Sequence, residues 1–161
     1  MEESSRFRHE PKSGMATNKV TILLADDSKF LRLAIERALA RAGYTVLTAN
    51  DGEQALRTAR ESAPQVILLD MLLPKISGLD VLKALKKDPL TAGIAVVAFT
   101  ALSNKNAERL QRDGVCAYLE KSDLCLNQGC EKLLSALAHI LKNLDLKSLN
   151  SEKAAVSHGD R

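Results

Sequence analysis

Apolar positions begin abruptly at Val20. Val20-Thr21-Ile22-Leu23-Leu24-Ala25 is a nearly continuous apolar run that stops at Asp26-Asp27, the pattern of a strand buried on both faces. Ser28 then precedes Phe30-Leu31, Ala34-Ile35 and Ala38-Leu39, apolar pairs at helical spacing that run out at Gly43. A serine N-cap, one apolar stripe and a glycine stop predict an amphipathic helix. The alternation repeats. Tyr44–Ala49 reads as a strand, Asp51–Ser62 as a helix, and Gln65–Asp70 as a second fully buried strand. After a loop carrying Pro74 and Gly78 come a helix at Leu79–Lys87, a strand at Ile94–Phe99, a helix at Asn104–Arg112 and a fifth strand at Val115–Glu120. Leu133, Leu134, Leu137, Ile140, Leu141 and Leu144 share one face of a last helix.

Five βα units with apolar strands require a parallel sheet covered on both faces, because right-handed crossovers place helices there. A doubly wound α/β domain over residues 19–144 is therefore expected. A polar arm over 1–18 and a polar tail over 145–161 flank it, and neither is long enough to form an output domain.

Composition narrows the classes. Of the 161 residues, 45% are hydrophobic and only 3% aromatic, with no tryptophan, so the core must be aliphatic. No run approaches the ~18 apolar residues of a membrane span, and Glu2, Glu3, Arg6 and Arg8 open the chain where a signal peptide would be apolar. A cytoplasmic location without membrane contact is expected. The net charge of +3 is weak and its signs are interspersed, which does not imply nucleic acid. In the arm, Arg6, Arg8 and Lys12 are matched by Glu2, Glu3 and Glu10. Cys116, Cys125 and Cys130 form neither a CxxC pair nor a Cys/His set, so plain thiols are expected rather than disulfides or zinc. His9, His139 and His158 have no partner pattern.

Open parallel sheets bind ligands beyond the carboxyl ends of their strands. There the first strand supplies Asp26 and Asp27, the third Asp70, the fourth Thr100, and the fifth Lys121. Three adjacent carboxylates raise one another's pKa unless a cation neutralises them, and magnesium fits an all-oxygen donor set that keeps places for phosphate oxygens. A lysine and a hydroxyl opposite them complete a site suited to in-line phosphoryl transfer. Singly, each aspartate reads as a solvated loop residue or helix cap and Lys121 as a surface lysine; only the set departs from that.

These residues resemble the response-regulator receiver family over about residues 19–144. The resemblance rests on Asp26-Asp27, on Leu68-Leu69-Asp70-Met71-Leu72-Leu73-Pro74 with Gly78 following, on Phe99-Thr100-Ala101 and on Tyr118-Leu119-Glu120-Lys121. It implies a flavodoxin-like strand order 2-1-3-4-5. It also implies Asp70 as phosphoacceptor, magnesium held by Asp26, Asp27, Asp70 and the backbone carbonyl of Leu72, and Thr100 and Lys121 on the phosphoryl oxygens. Thr100 and Tyr118 match the switch pair of the family, although a tyrosine in a strand is equally read as packing. By resemblance the donor is a histidine kinase or phosphotransfer protein. The chain is then a stand-alone signalling receiver rather than an enzyme, assisting its own phosphorylation and dephosphorylation and switching a downstream partner on the face of helix 4, strand 5 and helix 5.

The sequence departs from that pattern at Ser122, where the family carries a proline, often after a cis bond. A cis bond before serine costs ~2.5–4 kcal/mol, so a differently placed trans loop is expected. Leu72 and Leu102 are apolar where polar side chains could orient an attacking water, which predicts slow self-dephosphorylation. Three other classes fit less well. A magnesium-dependent hydrolase with an aspartyl-phosphate intermediate would want an acid at position 72. A module that binds constitutively would not need the intact acidic set. A flavin protein would need a Gly- and hydroxyl-rich phosphate loop where Ala25-Asp26-Asp27-Ser28 stands.

Overall fold

In the computed structural model, which describes residues 20–101, 107–123 and 130–144, the apolar runs become five parallel strands. They are β1 (Thr21–Ala25), β2 (Thr45–Ala49), β3 (Val66–Leu69), β4 (Ala95–Thr100) and β5 (Ala117–Glu120). Their order is β2-β1-β3-β4-β5, the expected doubly wound arrangement. Between them lie α1 (Lys29–Arg41), α2 (Gly52–Ser62), α3 (Gly78–Lys87) and α4 (Ala107–Asp113), and α5 occupies 131–144. The arm over 1–18, the tail over 145–161, Leu102, Cys125, His9, His158 and the predicted start of the fourth helix at Asn104 lie outside the described residues.

The two-residue period of the strands divides the interior into two cores. Leu23, Ala25, Ile67, Leu69, Val96 and Ala98 face one side, where α2, α3 and α4 contribute Ala55, Ala59, Val81, Leu82, Leu85 and Leu110. Ile22, Leu24, Val66, Leu68, Val97 and Phe99 face the other, against Ile35, Ala38 and Leu39 of α1 and Leu133 and Leu137 of α5. β3 and β4 are buried along their whole length, whereas the edge strand β5 is half-buried throughout. This is why the central strands read as unbroken apolar runs and the edges do not.

Local chemistry sets the helix ends. Ser28 Oγ accepts the Leu31 N–H at 3.3 Å, Asp51 Oδ1 accepts the Gln54 N–H at 2.8 Å and Ser77 Oγ accepts the Asp80 N–H at 3.2 Å, each an N-cap satisfying a helix-terminal donor. α1 stops where Gly43 takes φ 99°, as its glycine predicted. α2 stops at Ala63, which takes a left-handed conformation (φ 45°, ψ 59°) without being glycine. The strand limits differ from the sequence reading by one or two residues: β3 ends at Leu69 and β5 begins at Ala117, although single hydrogen bonds from Asp70 to Ala25 and from Cys116 to Val96 extend the pairing beyond those limits.

Candidate functional site

Parallel register brings four strand ends to one edge. Ala25 lies opposite Leu69, and Leu69 opposite Ala98, so Asp26 and Asp70 stand side by side one step beyond. The ladder continues through them: the Asp26 N–H donates to the Ala49 carbonyl and the Asp70 N–H to the Ala25 carbonyl, both at 3.0 Å. Thr100 pairs with Glu120, and Lys121 follows. Asp26, Asp70 and Thr100 are buried, while Asp27 is exposed. One carboxylate oxygen from each of Asp26, Asp27 and Asp70 falls within 4.8 Å of the other two.

Lys121 closes the cluster. Its Nζ lies 2.7 Å from Asp26 Oδ2 and 2.9 Å from Asp70 Oδ2, and 5.3 Å from the centre of the Phe99 ring, within range of a cation–π attraction. Burial pulls the Lys121 ammonium downward, but the close Asp26 and Asp70 carboxylates outweigh this and leave its pKa above the ordinary lysine value. The lysine is thus held charged. Residues Lys121–Asp123 form a short 3-10 turn, and the Lys121–Ser122 peptide is trans.

Asp70 is pushed upward from the usual carboxylate range, first by burial; the Leu72 N–H and Lys121 oppose this, and Asp26 adds a smaller push upward. Desolvation, not the mutual repulsion expected from the sequence, is therefore the leading cause. The Leu72 N–H donates to Asp70 Oδ1 at 3.0 Å, while the Leu72 side chain stands in solvent. Gly78 lets the loop close on itself: a Cβ there would lie 2.4 Å from the Asp70 carbonyl oxygen and 2.4 Å from Met71 Cα. Tyr118 is half-buried against the core beneath α3 and α4, and its phenol is pushed upward by burial and by Glu120. His139 and Cys116 are exposed and Cys130 is buried, all away from the acidic cluster.

Two contacts are invisible to a linear reading. Arg32 reaches back from α1, and its Nη1 donates to the Asp26 carbonyl at 2.8 Å. Phe99 lies under the Lys121 ammonium. Arg32 stands four residues beyond the N-cap, from which helical side chains point toward the helix start, but nothing in the spacing names its acceptor.

The donor set suits a hard divalent cation. All three candidate ligands are carboxylates, and Asp26 Oδ2, buried, receives no well-directed hydrogen bond although Lys121 is close by. An ion there would satisfy an oxygen that the protein leaves short. No helix among the described residues is long and apolar enough to cross a membrane.

The model of the response regulator receiver domain matches residues 22–125. The chain belongs to the response regulator receiver family. Its relatives include the polar-differentiation response regulator DivK of Brucella anthropi, 35% identical over 102 residues, covering 63% of this chain and 83% of that protein. A gliding motility regulatory protein of Myxococcus xanthus is 34% identical over 139 residues, 85% of this chain but 17% of that much longer protein. Among solved structures, the chemotaxis protein CheY4 of Vibrio cholerae superposes with a TM-score of 0.67 at 26% identity over 75% of this chain and 98% of that one. The receiver domain of the sensor histidine kinase PA1611 of Pseudomonas aeruginosa, described with a magnesium ion coordinated in its active-site cleft, gives 0.58 at 30% identity over 64% and 85%. This receiver is accordingly a signalling module of two-component systems.

Proposed function

We propose that this receiver, a domain over 19–144 with polar segments on either side, accepts a phosphoryl group on Asp70 from the phosphohistidine of a histidine kinase or phosphotransfer protein. The observation that carries the reading is the single edge at which Asp26, Asp27, Asp70 and Lys121 converge, with one oxygen of each acid within 4.8 Å of the others. An Asp70 carboxylate oxygen forms the new O–P bond as the donor's P–N bond breaks, the imidazole leaving with the electron pair; water later cleaves the acyl phosphate and restores the carboxylate. Asp26, Asp27 and Asp70 are the side chains that would hold magnesium, with the Leu72 carbonyl as a fourth ligand, and the ion when bound would neutralise phosphoryl oxygens. Lys121, kept protonated by its neighbours, supplies positive charge to the same oxygens, and Thr100 a hydroxyl.

Phosphate on Asp70 competes with the carboxylates for Lys121 and draws in Thr100. Tyr118, on β5 opposite Ala98 and two residues before the Thr100–Glu120 pair, follows as the switch aromatic, and the face of α4, β5 and α5 changes its affinity for a downstream protein. The experiment is incubation with acetyl phosphate or phosphoramidate, with and without magnesium, followed by intact mass. A phosphoryl mass gain that requires magnesium and vanishes in Asp70→Asn is the expected result. An unchanged mass in all conditions would leave a constitutive binding module as the better reading.

A further inference from the structure

The backbone and carboxylate of Asp26 are almost fully committed. Its N–H donates to Ala49 in β2 at 3.0 Å, its Oδ1 accepts the Ser28 N–H at 2.8 Å, and its carbonyl accepts Arg32 Nη1 at 2.8 Å. Oδ2 is ion-paired with Lys121 at 2.7 Å but accepts no well-directed hydrogen bond. The first two constraints are backbone groups that any sequence of this fold supplies. The third is a side chain, placed a full turn into α1 and partly buried.

We propose that Arg32 is a positioning residue for the metal-binding acids, holding the Asp26 carbonyl so that Asp26 Oδ2 and the following Asp27 carboxylate stay converged on Asp70. The inference rests on reading Asp26, Asp27 and Asp70 as a magnesium site. Without the guanidinium, the peptide between Asp26 and Asp27 is free to rotate about a junction fixed on one side only, and Asp27, exposed and carried by that peptide, is the acid most displaced. A metal site depends on such outer contacts because ligands must converge within a few tenths of an ångström.

The alternative role for Arg32 is plain electrostatics, and it predicts the opposite sign. A guanidinium beside three carboxylates repels an incoming cation, so removing its charge should tighten cation binding. Positioning predicts weaker binding. The sign of the change separates the two.

The test measures Mn2+ binding by electron paramagnetic resonance and Mg2+ binding by competition, on the whole chain without any phosphodonor. Arg32→Met, which keeps an apolar stem and no donor, is expected to weaken binding about tenfold. Arg32→Gln should lie between it and wild type, and Arg32→Lys, which restores charge and a donor, should recover most of the affinity. Arg60→Met, which breaks a surface contact with Asp88 remote from the acids, should leave it unchanged. Either neutral variant decides alone if the other fails to fold. Unchanged or tighter binding in Arg32→Met and Arg32→Gln overturns the inference, as does an equal loss in Arg60→Met. If wild type itself binds neither ion, the metal reading of the acids falls and the inference with it, a failure recognisable because it precedes any variant.

Discussion

Asp70 carries its charge at a cost in the metal-free molecule. Its carboxyl is pushed above the ordinary value, burial being the main cause, so the folded state holds the proton more tightly than the unfolded chain does. The penalty is therefore present above the folded pKa and disappears as pH falls below the unfolded one. Asp70→Asn, which keeps an acceptor for the Leu72 N–H and leaves Lys121 its contact with Asp26, should raise the urea midpoint of the metal-free protein at pH 7. The gain should shrink as the medium is acidified toward the unfolded value of 3.8. A midpoint lowered at neutral pH would mean that the Lys121–Asp70 contact outweighs desolvation. Leu72 governs a different property of the same residue. Its N–H holds Asp70 Oδ1 while Leu72 itself is 55% exposed, and on the proposed function its apolar side chain has no means of orienting water toward an acyl phosphate. Leu72→Asn should shorten the lifetime of phospho-Asp70, measured by decay of a radiolabel, without altering its rate of formation from acetyl phosphate. Equal decay in the two proteins would remove Leu72 from any role in phosphate persistence.

At the scale of elements, the loop from β3 to α3 is tightly closed. The Gly78 N–H donates to the Met71 carbonyl at 3.1 Å, and the helix it begins presses on the backbone of Asp70 and Met71. Gly78→Ala must displace that backbone, since the new carbon meets main-chain atoms that cannot swing aside. It should cost about 1–3 kcal/mol of stability in urea titrations and slow the proposed phosphorylation as well, because the atoms moved are those of Asp70 and Met71. On the far side of α3, Asp88 at its C-terminal end binds Arg60 of α2 at 2.7 Å. The Arg60 hydrogen bond, then the Leu90 N–H, hold the Asp88 carboxyl below its usual range. A depressed carboxylate stabilises fully above its unfolded pKa and loses that contribution as pH falls through the folded one. Arg60→Gln should therefore lower the urea midpoint slightly at pH 7 and begin to converge on wild type as pH falls below the unfolded value of 3.8, the effect being small because Arg60 is 62% exposed. These contacts also mark where sequence reading reached its limit. The strands were legible because β1, β3 and β4 are buried on both faces, and Ser28 and Asp51 announced their helices. Ser77 was passed over because Gly78 after it masked the cap, and the left-handed Ala63 has no glycine to signal it. The convergence of Asp26, Asp27, Asp70 and Lys121 was legible because each follows a strand that reads from the sequence. Arg32 and Phe99 were not, since each acts through a neighbour that only the folded chain brings near.

The whole molecule matters to the site because no single element contains it. Asp26 and Asp27 follow β1, Asp70 follows β3, and Lys121 follows β5, so the acids converge when β1 and β3 pair in register, and Lys121 joins them only when β4 and β5 pair as well. Both cores are needed for that: one seats α2, α3 and α4, the other α1 and α5. A cation held by these acids therefore binds the folded state and scarcely the unfolded one, and mass action converts its affinity into stability. Magnesium at ten times its dissociation constant should add about 1.4 kcal/mol to the unfolding free energy, seen as a rise in melting temperature that continues with the logarithm of concentration above the dissociation constant. Calcium chloride at equal ionic strength controls for screening and competes only to the extent that the site tolerates a larger ion. Asp27 is the residue on which to test the source of the gain. It is exposed, and its removal takes one carboxylate from the cluster without opening a cavity, so Asp27→Asn should fold normally yet lose most of the magnesium-dependent rise. A full rise in Asp27→Asn would place the stabilising ion elsewhere on the molecule. Loss of the rise together with loss of magnesium-dependent phosphorylation of Asp70 would tie one cation to both effects: the ion that completes the sheet edge would be the ion that prepares it for phosphate.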